Sequence, residues 1–266
     1  MTAIKVVRHV VRYEIQDLSR SRWIAGYALL LLLLTEALLR FGGGGPRAVL
    51  SLMNVVLAVV PLASIVFGTM YLYGSRDFIE LLLAQPVGRS SLFAGLYAGL
   101  ALPLAIAFLI GVGLPFLWSG AGDGSLGGPL AMLLLAGTLL TLVFTALALL
   151  VSLLFEDRAK GLGAAILLWL GATALYDALL VLVAITFSEY PVELPLIALT
   201  FLNPVDLGRV LLLLQLDTAA LMGYTGAVFE RFFGSLAGAG VSALALLLWG
   251  AGPLLVARRQ FRRKDF

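Results

Sequence analysis

The sequence predicts an all-α, polytopic membrane protein with six transmembrane helices, and three observations carry this prediction. Of its 266 residues, 61% are hydrophobic and 12% are charged, whereas soluble globular domains carry roughly 25% charged residues. Six continuous apolar stretches are long enough to cross a hydrocarbon core of about 30 Å as helices. None of them alternates apolar and polar residues, which is the pattern of a membrane β-barrel strand. The predicted spans cover residues 23–39, 49–73, 92–118, 129–155, 162–187 and 236–257.

A polar arm, residues 1–22, precedes the first span. Apolar residues recur in it at spacings of three and four, and basic residues fall on a neighbouring face, which predicts an amphipathic helix at the membrane surface. A plain topology signal is the alternative interpretation of the same basic residues. The apolar positions are Ile4, Val7, Val11, Ile15 and Leu18, and the basic positions are Lys5, Arg8 and Arg12.

The positions of the basic residues predict the orientation of the chain. With a cytoplasmic N-terminus, only Arg40, Arg47, Arg209 and Arg231 of the 18 Lys and Arg residues fall outside. Because cytoplasmic loops carry an excess of Lys and Arg, we expect both termini in the cytoplasm. The chain then divides into the amphipathic helix at 1–22, a transmembrane domain at 23–257 and a basic cytoplasmic tail at 258–266.

Two acidic residues lie within predicted spans, where a charge is costly. Glu36 in the first span precedes Arg40 by four residues, a spacing that favours a salt bridge at the helix end over a functional site. Asp177 lies in the outer half of the fifth span beside Thr173 and Tyr176. For Asp177, hydrogen bonding between helices is favoured over contact with a substrate.

The connection between spans two and three, residues 74–91, is the most informative cytoplasmic segment. Its acids Asp77 and Glu80 are three residues apart, which places them on one face of a helix. Phe78 and the leucines that follow form a dense apolar patch around them, and a surface of this kind suits docking to another protein. An end cap on the second span is the alternative. The residues assigned to docking are Asp77, Phe78, Glu80, Leu81, Leu82, Pro86 and Arg89.

The outer segment, residues 188–234, contains a stretch that is apolar enough to resemble a seventh span. A crossing there would carry the basic tail to the outside, so we predict a short helix in or dipping into the outer membrane surface. Asn203 is its predicted N-cap, Pro204 its first residue and Asp206 an acid in its first turn. Arg209 is expected on the exposed side, available to a partner.

Several function classes are excluded by residues that the chain lacks. It has no cysteine and one histidine, His9, which excludes thiolate metal sites, multi-histidine zinc or copper sites and a Ser-His-Asp triad within one chain. It also has no G-x-x-x-x-G-K-[ST] phosphate loop, so it cannot bind ATP in that manner. We therefore expect no catalytic, cofactor or metal site in this chain, and a partner must supply the energy for any ATP-driven process.

Two segments resemble a known class of permeases. The order of acid, leucine run, proline and arginine in Glu80, 81–83, Pro86 and Arg89 is similar to the cytoplasmic coupling segment of type-2 ABC transporter permeases. The Asn-Pro-x-Asp-x-x-Arg element that begins at Asn203, followed by a leucine-rich helix before the last span, resembles NosY-like permeases of the Nos copper-processing transporter. The resemblance extends over the whole chain in span number, loop order and length.

This resemblance implies a permease subunit in the bacterial inner membrane that forms a homodimer and is driven by a separate ABC ATPase, which binds ATP and Mg²⁺. It further implies a role in copper-site maturation of nitrous oxide reductase and an extracytoplasmic partner. Lipid is an expected partner and nucleic acid is not. Copper ligands that could form a path across the membrane are missing, so transmission of force, or transport of a species other than a metal, is expected. The alternatives are an exporter for a lipid, drug or other small molecule, and a stand-alone secondary transporter.

Overall fold

The computed structural model of the chain describes residues 22–42, 45–84, 88–119, 127–187, 193–213 and 236–264. The predicted amphipathic helix at 1–22, apart from Arg22, and Pro86 lie outside these residues. In the described residues, every regular element is helical. The helices are α1 (Arg22–Phe41), α2 (Gly45–Gly74), α3 (Arg76–Leu83), α4 (Arg89–Ser119), α5 (Gly127–Leu154), α6 (Arg158–Leu170), a π-helical segment (Gly171–Leu175), α7 (Tyr176–Thr186), α8 (Glu193–Thr200), α9 (Pro204–Leu213) and α10 (Leu236–Arg263).

The prediction of six membrane-spanning helices is confirmed. Helices α1, α2, α4, α5 and α10 are each long and apolar enough to cross a bilayer, and α6, the π-helical segment and α7 together form the remaining span. The chain is therefore a multi-pass, all-α membrane protein. The short helices α3, α8 and α9 connect these spans.

Helix α5 is the centre of the bundle, because it packs against α2, α4, α6, α9 and α10. Most of its residues are buried, including three hydroxyl side chains that have no access to water. Each hydroxyl donates to a backbone carbonyl four residues earlier, so the polar groups are satisfied within the helix. The donors are Thr141, Thr145 and Ser152, and the acceptors are the carbonyls of Gly137, Thr141 and Ala148.

The ends of several helices meet at one end of the bundle, which we call the basic end (residues 73–84, 88–93, 153–160 and 257–264). Here the Tyr73 hydroxyl donates to the carbonyl of Phe155 over 2.7 Å, which joins α2 to the turn between α5 and α6. Asp157 is the N-cap of α6 and accepts from the backbone N–H of Lys160 at 2.9 Å. This hydrogen bond lowers the pKa of the Asp157 carboxyl, because it favours the charged form.

Helices α8 and α9, with the turn at 201–203, form a helical hairpin (residues 193–213). The tip of the hairpin contacts Ala172 in the fifth span and Trp249 in α10. Each of these residues lies about 20 Å along its span from the basic end, at a rise of 1.5 Å per residue. The hairpin therefore enters the bundle from the opposite end and turns at about half its depth.

The sequence predicts a short helix in or dipping into the outer membrane surface, and α9 dips deeply, to a position within the bundle. Helix α9 packs against α2, α5 and α10, and apart from Arg209 and Leu213 its residues are buried. A side chain at Gly208 would press against Leu140 and Leu57, so glycine permits the close approach. Apart from Asp206 and Arg209 the residues of α9 are apolar, and their burial against the neighbouring helices stabilises α9 inside the bundle.

Candidate functional site

Most of the predicted functional residues that the structure describes lie at two places, a surface on α3 and a polar cluster in the hairpin. Helix α3 turns one face into the bundle through Ile79, which is fully buried. Its opposite face is exposed and consists of Asp77, Glu80, Leu81 and Ala84. Counted from Asp77 these residues fall at positions i, i+3, i+4 and i+7, so they share one side of the helix. We call this face the coupling surface.

Only one of the predicted apolar anchors lies fully on this surface. The Leu81 residue is 60% exposed, whereas Leu82 packs partly against the core and Phe78 is half-buried. The sequence shows five apolar residues in one short helix and does not distinguish among them. The turn at Ser75 separates α3 from α2, and the packing of α3 on the bundle decides which of its sides is buried.

Arg89 is one of the predicted docking residues, but its guanidinium binds the end of α10. Its Nη1 donates to the carbonyls of Arg262 at 3.1 Å and Lys264 at 2.8 Å. The last carbonyls of a helix lack partners within the helix, and a cation there also interacts favourably with the helix dipole. Arg89 therefore binds the C-terminal end of α10.

The polar cluster in the hairpin begins with Asn203, which lies at the start of α9 as expected. Its Oδ1 accepts from the backbone N–H of Val205 at 3.1 Å, the geometry of an N-cap. Its Nδ2 donates to the carbonyl of Ala172 at 2.8 Å and to Asp206 Oδ2 at 3.0 Å. One side chain therefore starts α9 and also binds the hairpin to the fifth span.

Arg209 binds Asp177 of the fifth span rather than projecting freely for a partner. Its Nη1 and Nη2 lie 2.9 and 2.7 Å from the two carboxylate oxygens of Asp177, a bidentate ion pair, and Nη1 is also 3.1 Å from Asp206 Oδ1. A guanidinium in apolar surroundings is stable only when it is paired. The sequence alone does not reveal this pair, because its members are 32 residues apart in the chain. Asp177 therefore bonds to another helix, as the sequence predicts, and it does so through an ion pair with a cation.

Backbone carbonyls at the hairpin tip are satisfied by aromatic side chains. The Tyr176 hydroxyl donates to the carbonyl of Leu199 at 2.6 Å, and Trp249 Nε1 donates to that of Phe201 at 3.0 Å. The Leu199 carbonyl also accepts from the backbone N–H of Leu202 at 2.9 Å, so Tyr176 adds a second hydrogen bond to it. Because no water is available in a bilayer core, these hydrogen bonds help to satisfy the backbone of the turn at its depth in the membrane.

A cavity of about 230 Å³ lies beside the tip. It is smaller than typical small-molecule sites of about 300–1,000 Å³. Because the polar atoms of Tyr176 and Trp249 are bound to the hairpin, the cavity is lined almost entirely by apolar groups. The lining residues are Phe144, Leu147, Leu168, Gly171, Ala172, Tyr176, Leu202, Asn203, Pro204 and Trp249.

Glu36 lies at the end of the bundle opposite the basic end. It forms a salt bridge with Arg40, four residues later in α1, and accepts from Trp118 Nε1 of α4 at 2.9 Å. These contacts join the ends of two spans. Among the described residues, no group of three or more His, Cys, Asp or Glu side chains is placed to hold a metal ion.

The family described as ABC-2 family transporter protein matches residues 8–266. The chain belongs to this family. A relative from Pseudomonas aeruginosa, named probable ABC transporter permease protein NosY, is 30% identical over 97% of this chain and 98% of its own length. A protein of the same name from Stutzerimonas stutzeri is 28% identical over 97% of this chain and 98% of its own length.

Membership of the ABC-2 family bears on both the coupling surface and the polar cluster in the hairpin. An ABC permease works with an ATPase subunit, which supplies the energy that the permease itself does not obtain from ATP. The coupling surface is an exposed feature at the basic end, whereas the hairpin cluster lies deep in the bundle. The first is suited to binding a protein, and the second to holding spans together in a defined arrangement.

Proposed function

We propose that this permease receives the conformational change of a separate ABC ATPase at the coupling surface and transmits it across the membrane. The observation that carries the proposal is the division of α3 into two faces. Ile79 is buried in the bundle, while Asp77, Glu80 and Leu81 face away from it. An exposed leucine flanked by two carboxylates provides an apolar anchor and a charge pattern that orients a partner.

The attachment of α3 to the bundle supports transmission of force. Tyr73, just before α3, and Arg76, its first residue, both donate to the carbonyl of Phe155, at 2.7 and 3.5 Å. The Arg76 guanidinium also lies 4.7 Å from the centre of the Tyr73 ring, a distance typical of a cation–π contact. A displacement of α3 is therefore passed to α2 and to the end of α5.

We further propose that the chain acts as a NosY-like component in copper-site maturation of nitrous oxide reductase. The support is the resemblance in the Asn203 to Arg209 element and the similarity to two proteins named NosY. Without cysteine and with one histidine, the chain is poorly suited to carry copper itself. Transmission of motion to an extracytoplasmic partner fits these residues better. Export of a lipid, drug or other small molecule is the alternative.

We also propose that the permease forms a homodimer. It would lie in the bacterial inner membrane with both termini in the cytoplasm. Its support is the exposed fifth span, in which α7 has no buried residue. The side chains of Asp177 and Arg209 remain 34% and 32% exposed on this part of the surface. A second copy that covers them would remove two charged groups from contact with lipid.

The test of the coupling surface is co-purification with a candidate ABC ATPase that carries a phosphate loop and is expressed together with the permease. We expect Leu81→Ala to weaken binding about 30-fold, the effect of truncating a central apolar anchor by 2 kcal/mol. Glu80→Lys should reduce binding by reversing the charge. Leu102→Ala is the matched control, because Leu102 is an exposed leucine in α4, within the membrane. Wild-type binding by both α3 variants, with folding verified by size-exclusion chromatography, would contradict the assignment.

A further inference from the structure

We propose that α10 carries motion from the basic end to the hairpin tip, and that Arg89 and Trp249 are the positioning residues at its two joints. The inference rests on the proposed function, since it concerns where motion received at α3 is delivered. It assigns to the last span a role that neither its length nor its composition indicates.

The lower joint connects α10 to the start of α4, which follows the helix that carries the coupling surface. Arg89 Nη1 binds the carbonyls of Arg262 and Lys264. One turn further along α4, the Phe93 ring packs against the buried Phe261 ring, with centroids 5.4 Å apart. The two contacts fix the end of α10 both by hydrogen bonds and by packing.

A third contact at the lower joint ties α10 to the centre of the bundle. Lys264 Nζ donates to the carbonyl of Leu153, in the last turn of α5, at 3.0 Å. Helices α5 and α10 also pack extensively along each other. The two helices are therefore expected to move as one body when the end of α10 is displaced.

The upper joint lies about 20 Å further along α10, where Trp249 Nε1 donates to the carbonyl of Phe201 in the hairpin turn. Phe201 is two residues from Asn203, whose Nδ2 binds the carbonyl of Ala172 in the π-helical segment. A shift of Trp249 therefore acts on a turn that is also bound to the fifth span. Ala172 belongs to the π-helical segment, and π-helical segments interrupt the regular hydrogen bonding of an α-helix and often mark functional sites.

Between the two joints, α10 contains Pro253. Proline lacks the N–H that would bind the carbonyl of Trp249, so the helix bends most easily next to the upper joint. Displacement along the axis still passes this point, because the backbone is continuous and α5 supports it from the side. The proposed motion is therefore a shift along α10 rather than a sideways swing.

The chain offers a direct reporter for this motion, because it contains no cysteine. Leu202, in the hairpin turn, is 62% exposed, and Leu202→Cys places one thiol there. The thiol is first coupled in detergent to a methanethiosulfonate nitroxide label. The experiment then measures the mobility of the label by electron paramagnetic resonance in the purified complex with the ATPase, with and without a non-hydrolysable ATP analogue. In the wild-type background we expect the analogue to change the mobility of the label.

Two variants test the joints. Trp249→Phe retains the aromatic ring and removes the N–H donor, and Arg89→Lys retains the charge but loses the guanidinium. Each should reduce the response to nucleotide by about five-fold, the factor that corresponds to one hydrogen bond of about 1 kcal/mol, while ATPase binding is retained. Trp23→Phe and Arg258→Lys are matched controls at exposed positions and should respond as the wild type does.

The outcomes separate this inference from the proposed function. A wild-type response in both joint variants, or no response in the wild type while the ATPase remains bound and active, would overturn the inference alone. Failure of the ATPase to co-purify with the wild-type permease would refute the proposed function and the inference together. A loss of response confined to Trp249→Phe and Arg89→Lys would support both.

Discussion

The ion pair between Asp177 and Arg209 gives the sharpest test of how the hairpin is held in the bundle. The informative perturbation is Asp177→Asn, which preserves the size of the side chain and removes its charge. For a neutral partner an amide would be an adequate replacement. Here the partner is a guanidinium that contacts both carboxylate oxygens, at 2.9 and 2.7 Å, so loss of the charge weakens both hydrogen bonds.

The expected magnitude follows from the geometry and the exposure of the pair. Hydrogen bonds to charged groups contribute about 1.5–3 kcal/mol each, and the third of each side chain that is exposed faces lipid, which does not screen the charges as water does. Arg209 also retains Asp206 at 3.1 Å. Double-mutant cycles for hydrogen bonds within membrane proteins average about 0.6 kcal/mol. We therefore expect Asp177→Asn to lower the free energy of unfolding by about 1.5 kcal/mol, and Asp177→Leu to lower it further.

The assay is a double-mutant cycle with Asp177→Asn, Arg209→Gln and the double variant, measured by unfolding in mixed detergent micelles. The coupling energy should be about 1 kcal/mol or more, because each single variant leaves a charged group with a weakened partner. Glu36→Gln is the control, since Glu36 pairs with Arg40 at the opposite end of the bundle from the basic end. A coupling energy near zero between Asp177 and Arg209 would show that the pair does not stabilise the hairpin and that this reasoning is wrong.

Three further predictions concern other parts of the chain. Asn203→Ala should lower the free energy of unfolding by about 1–2 kcal/mol through loss of the cap, whereas Asn203→Ser should retain the cap and lose the contact with Ala172; thermal unfolding of both variants separates the two roles. The pKa of the Asp157 carboxyl is lowered in the folded state. Its charged form therefore stabilises the fold at pH values above the usual carboxylate pKa, and this stabilisation is lost as the pH falls through the lowered pKa. Asp157→Asn should remove this part of the pH dependence in thermal melts at neutral and acidic pH, and an unchanged dependence of stability on pH would argue against it. For the orientation, an impermeant thiol reagent applied to intact cells should label Phe41→Cys and not Arg263→Cys, and the reverse pattern would invert the topology.

Some of the hairpin could be predicted from the sequence because the interactions concerned are local. Asn203 lies two residues from the N–H that it caps, and Pro204 suits the first position of a helix. The depth of α9 could not be predicted in this way, since it depends on packing against α2, α5 and α10. An apolar helix is compatible both with a membrane surface and with a protein interior, and only the neighbouring helices decide between them.

The six spans and the multi-pass, all-α fold were determined by the sequence alone, because a bilayer imposes a minimum length and an apolar composition on each span. The tertiary structure decided which polar residues meet. Arg209 pairs with Asp177 across 32 residues of chain, Arg89 reaches the carbonyl of Lys264 across 175, and Ile79 rather than Leu81 faces the core. Such choices depend on the angles and depths at which helices pack, and these arise from the sum of many weak contacts between distant segments.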